Sequence, residues 1–396
     1  MNYTQNIKKV IKRVLFMMFK CFPIKNNKIV ATTMRGRKYG DNPKYIVEYI
    51  KKLYPEVDVV WLVLPGYNSC VPSWIRKVPY TFSIKLIYEL STAKVWIDTH
   101  RIRASVSKRH GQVLIETWHG GLGIKKIEGD IPSVLETQWE IEEIEQTARL
   151  SDVFISNSDH LSSIYRRAFN YHGPIYKCGY PKNDLFFNNY EAIARDKKKE
   201  LNITSDKRIV MYAPTYRNQF AWGDDLDFSV FDLDYSCVKE ALEQRFGGEW
   251  IFLVKWHPTM FLYIQRNGIS FHNVIDVTAD NDMQSLLCAV DVLISDYSSC
   301  IFDAALRNIP CFTFAKDFEE YKSLQGTYFD LEDLPFPYAK NNDELKNNIL
   351  TFDNDDYLNK WNAFKKQTGL CETGHATEDI ATKIIDIMNG KTVVWN

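Results

Sequence analysis

Short apolar segments alternate with amphipathic segments along most of the chain. Each apolar segment has strand length, and most are hydrophobic at nearly every position, which is typical of parallel strands covered on both faces. We predict a first series of strands at residues 28–33, 57–64, 94–99, 112–117, 153–156 and 175–178. We predict a second series at residues 209–212, 250–255, 274–277, 290–294 and 311–314. Strands that alternate with helices in this way predict an α/β fold with parallel sheets.

The two series of strands predict two domains. The chain has 396 residues, which is more than one hydrophobic core usually holds, and the charged stretch 195–200 lies between the series. We predict a Rossmann-like domain at residues 27–190 and a second at residues 191–396, with a final helix at about 376–388 that returns to the first domain. Two such domains are expected to face a central cleft, with ligands at the carboxyl ends of the strands.

A basic amphipathic helix is predicted before the first strand, within residues 1–26. Apolar positions recur with helical spacing on one broad face, and they are Ile7, Val10, Ile11, Val14, Leu15, Met17, Met18, Cys21 and Phe22. Basic positions fall on the other face, and they are Lys8, Lys9, Lys12, Arg13 and Lys20. Such a helix is typical of a segment that lies on an anionic membrane surface, and packing on its own domain is the alternative. No apolar run reaches the ~18 residues of a membrane span.

Composition narrows the class of protein without identifying its chemistry. With 45% hydrophobic and 25% charged residues, the chain is typical of a globular protein. Residues 1–40 contain ten Lys or Arg and no Asp or Glu, although the formal net charge of the chain is −1. This basic head favours an anionic surface as its partner, and no nucleic-acid partner is expected. The eight Cys form no Cys-x-x-Cys pair, which fits a reducing cytosol and disfavours structural zinc.

Residues 290–321 contain the first candidate for binding chemistry. A predicted strand is followed by Ser295-Asp296-Tyr297-Ser298-Ser299, and helical spacing then resumes. A helix N-terminus presents unpaired N–H groups that suit a phosphate, and Ser298 and Ser299 add hydroxyl groups. Asp296 has the wrong charge to contact phosphate, so we interpret it as the organiser of this loop. The alternative is an ordinary capping sequence, because Ser and Asp begin many helices.

Four further polar clusters follow predicted strands, at residues 117–121, 179–184, 212–217 and 255–258. The first contains His119 followed by two glycines, which permit a substrate to approach closely. A single histidine is more often a hydrogen-bonded structural residue. Several polar clusters at strand ends are harder to explain in that way, because α/β proteins bind ligands at the carboxyl ends of their strands.

Five short motifs of this chain, in this order, resemble those of the CDP-glycerol glycerophosphotransferases, the teichoic acid primases and polymerases of bacterial envelopes. They are Trp118-His119-Gly120, Gly179-Tyr180-Pro181-Lys182-Asn183-Asp184, Ala213-Pro214-Thr215-Tyr216-Arg217, Ser295-Asp296-Tyr297-Ser298-Ser299 and Glu319-Glu320-Tyr321. The resemblance covers residues 28–385 approximately. It implies a GT-B fold, peripheral attachment to the cytoplasmic face of the bacterial cell membrane, and transfer of glycerol phosphate from CDP-glycerol with release of CMP.

The resemblance also implies roles for individual residues. His119 resembles the family's general base, and transfer to an acceptor hydroxyl needs such a base. Four residues resemble the family's diphosphate ligands, and they are Arg217, His257, Ser298 and Ser299. His257 is expected to be catalytic as well. Glu320 is implied for the ribose hydroxyls, and Lys255 is a further phosphate candidate.

The acceptor side is implied to include Gly120, Gly121, Arg35 and Asp41. The family often has Thr-Pro where this chain has Gly121-Leu122, so the identity of the acceptor stays open. A lipid-linked glycan or a growing polymer fits, as part of a teichoic acid or a capsule.

Several alternatives remain open. CDP-ribitol can replace CDP-glycerol as donor, and a GT-B glycosyltransferase that uses a nucleotide sugar is the enzymatic rival. An inactive membrane scaffold that binds a polyanionic glycopolymer is the rival without turnover. Asp225-Leu226-Asp227 and Asp232-Leu233-Asp234 match the short Asp-x-Asp pattern of metal-dependent glycosyltransferases, but such patterns arise readily by chance. We therefore expect no metal and no cofactor.

Overall fold

The computed structural model describes residues 11–395, except residues 13, 103–105, 218–227, 258–259, 261–262, 265, 270, 272 and 281. The chain divides into two units. The first unit consists of Met1–Gly121, Ile127–Asp184 and Leu370–Asn396, and the second consists of Leu122–Lys126 and Leu185–Gly369. Each unit contains one parallel sheet with helices, which confirms the predicted α/β fold class.

Seven parallel strands form the sheet of the first unit. They are β1 (Lys25–Ala31), β2 (Asp58–Val63), β3 (Arg76–Pro79), β4 (Ala93–Asp98), β5 (Val113–Glu116), β6 (Val153–Ser156) and β7 (Ile175–Lys177). Their order across the sheet is β3-β2-β1-β4-β5-β6-β7. This is the strand order of a Rossmann fold with one more strand at its edge, so β1 and β4 flank the point where the order reverses.

The helices of the first unit connect these strands. They are α1 (Asp41–Leu53), α2 (Ile84–Thr92), α3 (Pro132–Leu135), α4 (Gln138–Leu150), α5 (Asp159–Ala168) and, from the end of the chain, α13 (Ala376–Met388). Ser83 and Ser158 accept hydrogen bonds from backbone N–H groups in the first turns of α2 and α5, which satisfies donors that a helix start leaves unpaired. Helix α13 packs against α1.

Six parallel strands form the sheet of the second unit. They are β8 (Arg208–Ala213), β9 (Trp250–Val254), β10 (Val274–Asp276), β11 (Val292–Ser295), β12 (Cys311–Phe314) and β13 (Tyr338–Ala339). Their order is β10-β9-β8-β11-β12-β13, again a Rossmann order. The helices are α6 (Tyr190–Glu200), α7 (Tyr235–Phe246), α8 (Met283–Ala289), α9 (Cys300–Ala305), α10 (Phe318–Leu324), α11 (Asn342–Leu350) and α12 (Asn354–Thr368).

Every strand predicted from an apolar segment is present, with ends that shift by a few residues. The sequence missed β3 and β13. Strand β3 is an edge strand whose residues are partly exposed, and β13 has only two residues. Neither offers the run of buried apolar positions from which the other strands were identified.

The N-terminal segment divides its apolar side chains between the core and the surface. Residues 11–12 and 14–18 are helical, and Phe16 is 4% exposed within the core cluster that includes Val30 and Trp96. The exposed apolar residues form what we call the N-terminal apolar patch, which consists of Ile11, Val14, Met17, Met18 and Phe22. Residues 1–10 and 13, which carry part of the predicted helix, lie outside the described residues. Within the described ranges, no helix has the length and apolar character that crossing a membrane requires.

Candidate active site

His119 lies in the loop that follows β5 in the first unit, and the loop that follows the neighbouring strand β4 orients its ring. The Nδ1 atom of His119 is 2.8 Å from the carbonyl oxygen of Thr99. A carbonyl oxygen can only accept a hydrogen bond, so Nδ1 carries the proton and Nε2 keeps its lone pair in the neutral ring. The contact therefore prepares the Nε2 atom of His119 to accept a proton.

The backbone before His119 is held in an unusual conformation. Trp118 has a φ of 51°, a region that bulky residues rarely adopt. Its N–H donates to Glu116 Oε1 at 2.9 Å, and the Nδ2 atom of Asn42 donates to the carbonyl oxygen of Thr117 at 3.2 Å. Asn42 is buried in the first turn of α1, whose cap position is taken by Gly40. These bonds stabilise the strained turn that presents the His119 ring.

The glycines after His119 are held close to side chains of the same unit. A Cβ atom added at Gly121 would lie 2.7 Å from Asn157 Nδ2, so this position tolerates no larger residue without movement. The hydroxyl of Tyr180 donates to the carbonyl oxygen of Gly120 at 3.0 Å. Tyr180 thus connects the Gly179–Asp184 motif to the loop of His119.

Arg35 and Asp41, which the resemblance placed on the acceptor side, lie in the first unit, Arg35 in the connection after β1 and Asp41 as the first residue of α1. Arg35 pairs with Glu143 and donates to the carbonyl oxygen of Arg101 at 3.4 Å. Asp41 lies 3.7 Å from the Nζ atom of Lys182. Both Arg35 and Asp41 have positive φ angles, of 54° and 59°, so this connection is tightly turned. Their ion pairs are internal to the unit, and acceptor contact stays a prediction.

In the second unit, Arg217 joins the loops that follow β8, β11 and β12. Its Nη1 atom donates to Asp296 Oδ2 at 2.8 Å, and its Nε and Nη2 atoms donate to the two carboxylate oxygens of Asp317 at 2.7 and 3.0 Å. Arg217 is only 2% exposed, and the two carboxylates raise its pKa against the effect of burial. The N–H groups of Arg217 that would bind a diphosphate are already bonded to Asp296 and Asp317. A diphosphate would have to displace one of these carboxylates to contact Arg217.

Asp296 joins neighbouring loops through both of its carboxylate oxygens. Its Oδ1 atom accepts from the N–H groups of Thr215 at 2.7 Å and Tyr297 at 2.6 Å, while Oδ2 pairs with Arg217. The hydroxyl of Tyr297 donates to Asp317 at 2.8 Å. These contacts connect the strand ends around Ser298 and Ser299, the half-buried residues that directly precede α9.

The remaining predicted donor ligands occupy different environments. His257 follows β9, and its ring stacks on that of Tyr216 at 5.0 Å. Burial, and then the positive charge of Lys125, lower the pKa of His257 to about 4. The Nζ atom of Lys255 donates to the carbonyl oxygens of Val277 at 3.2 Å and Asp280 at 2.7 Å. Lys255 therefore supports its own loop in this structure, and a phosphate contact stays a prediction.

Glu320 was predicted from the sequence as a site residue of the second unit, and Lys125 was not. Glu320 is exposed on α10 of the second unit, and its ribose contact also stays a prediction. The sequence analysis missed Lys125. This residue belongs to the second unit, where it forms a β-bridge with Thr327. Burial lowers the pKa of Lys125, while the charge of Asp296 raises it. Lys125 therefore interacts electrostatically with both Asp296 and His257, which only the tertiary structure reveals.

The part of the chain that the structure describes shows no metal site at the Asp-x-Asp patterns. Asp225 and Asp227 lie outside the described residues. Asp234 accepts a hydrogen bond from the N–H of Cys237 at 2.9 Å and so caps α7. No group of three or more His, Cys, Asp or Glu within the described ranges is arranged to hold a metal ion.

Comparison with known proteins extends these observations. Residues 14–386 match the family model described as CDP-glycerol:poly(glycerophosphate) glycerophosphotransferase. The chain is 29% identical to a teichoic acid glycerol-phosphate transferase of Staphylococcus aureus (strain NCTC 8325 / PS 47) over 395 residues, which cover 96% of this chain and 98% of that protein. It is also 29% identical to a teichoic acid poly(glycerol phosphate) polymerase of Bacillus subtilis (strain 168) over 389 residues, 93% of this chain.

A solved structure of the wall teichoic acid polymerase TagF, in a variant soaked with CDPG, superimposes with a TM-score of 0.81 at 27% identity, covering 98% of this chain and 97% of that one. The fold is therefore of the GT-B type seen in that polymerase. The chain spans about half the length of the curated polymerases of Bacillus subtilis and Staphylococcus epidermidis, at 50% and 51% of each.

Proposed function

Because the chain belongs to the CDP-glycerol:poly(glycerophosphate) glycerophosphotransferase family, we propose that it transfers glycerol phosphate from CDP-glycerol to a hydroxyl group of an envelope glycopolymer or its lipid-linked precursor. In this reaction the acceptor oxygen attacks the phosphorus that bears the glycerol. The bond from that phosphorus to the bridging oxygen of the diphosphate breaks, and CMP leaves. The acceptor proton has to be removed, and the charge that develops on the leaving phosphate has to be stabilised.

His119 is the proposed general base, and its contact with Thr99 is the observation that carries the proposal. The distance of 2.8 Å from Nδ1 to the Thr99 carbonyl oxygen directs the proton to Nδ1, and the lone pair on Nε2 is then the proton acceptor of the ring. An imidazole is suited to this role near neutral pH. When Nε2 takes the proton, the charge on the ring is stabilised by the same carbonyl oxygen.

Donor binding is assigned to the second unit in this proposal. Ser298 and Ser299 supply hydroxyl groups beside the buried ion pairs of Arg217, and His257 supplies a ring nitrogen. Lys125 adds a positive charge that acts on His257 and Asp296. Charge-assisted hydrogen bonds from such groups stabilise a diphosphate and the departing CMP.

We also propose that the N-terminal apolar patch contacts an anionic membrane. Its residues Met17 and Met18 are 58% and 63% exposed. Ile84 is 68% exposed at the start of α2, the helix whose Tyr88 ring lies 5.4 Å from the ring of Phe22. The Nζ atom of Lys12 lies 4.9 Å from the ring centre of exposed Phe82, so apolar and basic groups occur together. Apolar side chains fringed by Lys bind anionic lipid surfaces.

The donor specificity tests the proposal directly. Purified protein would be incubated with a lipid-linked glycan acceptor and, in parallel, CDP-glycerol, CDP-ribitol or a UDP-linked sugar, and the released nucleotide and the acceptor mass would be measured. We expect CMP release and an acceptor mass gain of one glycerol phosphate only with CDP-glycerol. If turnover occurs with CDP-ribitol and not with CDP-glycerol, the donor is CDP-ribitol. Release of UDP would favour a glycosyltransferase. Polymer binding without any turnover would favour a scaffold.

A further inference from the structure

Asp98 and Glu116 are buried carboxyl residues that lie side by side behind the loop of His119. They are the last residues of the neighbouring strands β4 and β5, and they are direct partners in the parallel register. Asp98 is 6% exposed and Glu116 is fully buried. Acidic side chains are almost never buried in this way unless they are paired or perform a task.

Each of these carboxyl groups holds the backbone of the loop that follows its own strand. Asp98 Oδ1 accepts from the N–H groups of Thr99 at 2.7 Å and His100 at 3.2 Å. Glu116 Oε1 accepts from the N–H of Trp118 at 2.9 Å. One loop therefore presents the carbonyl oxygen of Thr99, and the other presents the ring that donates to it.

The backbones of the two strand ends are also joined to each other. The N–H of Thr117 donates to the carbonyl oxygen of Asp98 at 2.9 Å, and the Thr117 hydroxyl donates to the same oxygen at 3.1 Å. The hydroxyl of Thr99 accepts from the N–H of Met34 at 3.2 Å, in the loop after β1. The Thr99 peptide is thus fixed from both sides, and Asp98 fixes its orientation.

Burial affects the ionisation of both carboxyl groups, Asp98 and Glu116. Burial raises the pKa of Asp98 to about 7 against its two backbone hydrogen bonds and the charge of Arg35. Burial and the charges of Asp98 and Glu128 raise the pKa of Glu116 well above its usual value. Burial therefore opposes ionisation of both groups, and the two backbone N–H donors make Asp98 the better site for a negative charge.

We propose that Asp98 is a positioning residue for His119: its carboxylate fixes the Thr99 turn whose carbonyl oxygen keeps the proton of His119 on Nδ1 and Nε2 available as the base. This inference rests on the proposed function, because it assumes that His119 accepts the acceptor proton. Asp98 acts through the Thr99 peptide and does not touch the substrate. A reacting group displaced by about 1 Å can lose about 100-fold in rate, so the turn has a measurable effect.

The tautomer of His119 provides a readout that a merely structural role of Asp98 would not change. Nitrogen NMR of protein labelled at the histidine rings distinguishes a proton on Nδ1 from one on Nε2, with His119→Gln used to assign the signal. In the wild-type protein we expect the Nδ1–H form. In Asp98→Ala we expect a mixture that includes the Nε2–H form, because the Thr99 carbonyl oxygen is no longer held in place.

Kinetic measurements on the same variants separate positioning from binding. We expect Asp98→Ala to lower kcat by about 10- to 100-fold with the KM for CDP-glycerol unchanged. Asp98→Asn keeps an oxygen that accepts both N–H groups, so it should restore kcat to within about threefold of wild type. The matched control is Asp152→Ala, because Asp152 accepts from the N–H of Leu114 at 2.6 Å at the opposite end of β5. That variant should change stability without changing kcat.

The possible outcomes separate this proposal from the proposed function. An Nε2–H form in wild-type protein, or an Nδ1–H form with unchanged kcat in Asp98→Ala, would overturn the role of Asp98. If Asp98→Ala does not fold, the wild-type tautomer and the Asp98→Asn variant decide the question instead. A His119→Ala protein with normal turnover would reject the general base, yet the dependence of the tautomer on Asp98 would still be measurable.

Discussion

Arg217 and Asp317 form a bidentate ion pair inside the second unit, with parallel hydrogen bonds of 2.7 and 3.0 Å. The same guanidinium group pairs with Asp296 at 2.8 Å, and its carbon lies 4.6 Å from the ring centre of Tyr297. Arg217 is therefore the cation around which three loops of the candidate donor site are assembled. A planar fork of donors is required for this geometry, which Lys cannot reproduce.

Removing Arg217 is expected to destabilise the second unit as well as weaken donor binding. Arg217→Ala leaves two buried carboxylates without their cation, and breaking a buried pair in this way costs about 3–5 kcal/mol. Urea unfolding should show a loss of this size in the free energy of unfolding. Arg245→Ala is the control, because Arg245 donates to the carbonyl oxygen of Phe352 and forms no ion pair with the other described residues. Equal stability of the wild-type and Arg217→Ala proteins would contradict this role.

The two histidines should separate chemistry from binding. His119→Ala is expected to lower kcat by about 10²- to 10⁴-fold, the usual contribution of a general base, while CDP-glycerol binds with nearly normal affinity. His257→Ala should instead raise the dissociation constant for CDP-glycerol along with any loss of rate. Calorimetry and CMP release measure the two effects. The assignment fails if His119→Ala abolishes donor binding while turnover per bound donor is unchanged.

The protonation of His257 should make stability depend on pH. Its pKa is lowered from 6.5 to about 4 by burial and by Lys125, so between these values the unfolded chain binds a proton that the folded chain does not. The free energy of unfolding should therefore fall as the pH is lowered from about 6.5 to about 4, and His257→Gln should reduce this dependence. Lys125→Ala should raise the pKa of His257 measured by NMR, whereas Lys126→Ala serves as the control. An unchanged pKa in Lys125→Ala would refute the proximity of the two residues.

Membrane binding should depend on the exposed N-terminal side chains and not on the buried one. Met17→Ser with Met18→Ser should weaken binding to anionic vesicles about tenfold or more, since each Met contributes up to about 1.5–3 kcal/mol when buried in lipid. The melting temperature should be unchanged. Phe16→Ala should do the reverse: it lowers stability by about 3–5 kcal/mol through a core cavity, and the folded fraction still binds vesicles. Equal vesicle sedimentation of the double variant and the wild type would exclude the patch.

Turnover is expected to continue without a divalent metal. Hydrogen-bond donors and cationic groups around Ser298, Ser299 and Lys125 can stabilise the diphosphate charge in its place. CMP release in the presence of EDTA should therefore remain within about twofold of its value without chelator, because a metal ion is not required to stabilise that charge in this proposal. If EDTA abolishes turnover and manganese restores it, the Asp225-Leu226-Asp227 pattern becomes the better explanation, and Asp225→Asn would identify it.

The sequence by itself determined the fold class and the positions of most strands. Buried parallel strands have to be apolar along their length, so β4, β5 and β11 were visible as short hydrophobic runs. The polar residues at their ends were visible for the same reason, because the apolar pattern stops there. His119 and Ser298 were therefore candidates by position, and the roles predicted for them came from the family resemblance. The edge strands β3 and β13 lacked this signal.

Only the tertiary structure decided what the polar residues contact. From the sequence, Arg217 was predicted to bind phosphate. In the structure, its N–H groups donate to Asp296 and Asp317, which lie 79 and 100 residues away along the chain. Asp98 and Glu116 read as ordinary strand ends, and the parallel register brings them together beneath His119. Phe16 belongs to an amphipathic segment, yet its side chain enters the core. Hydrogen bonds and burial join residues that are distant along the chain, and no local pattern of hydrophobic and polar positions records those pairings.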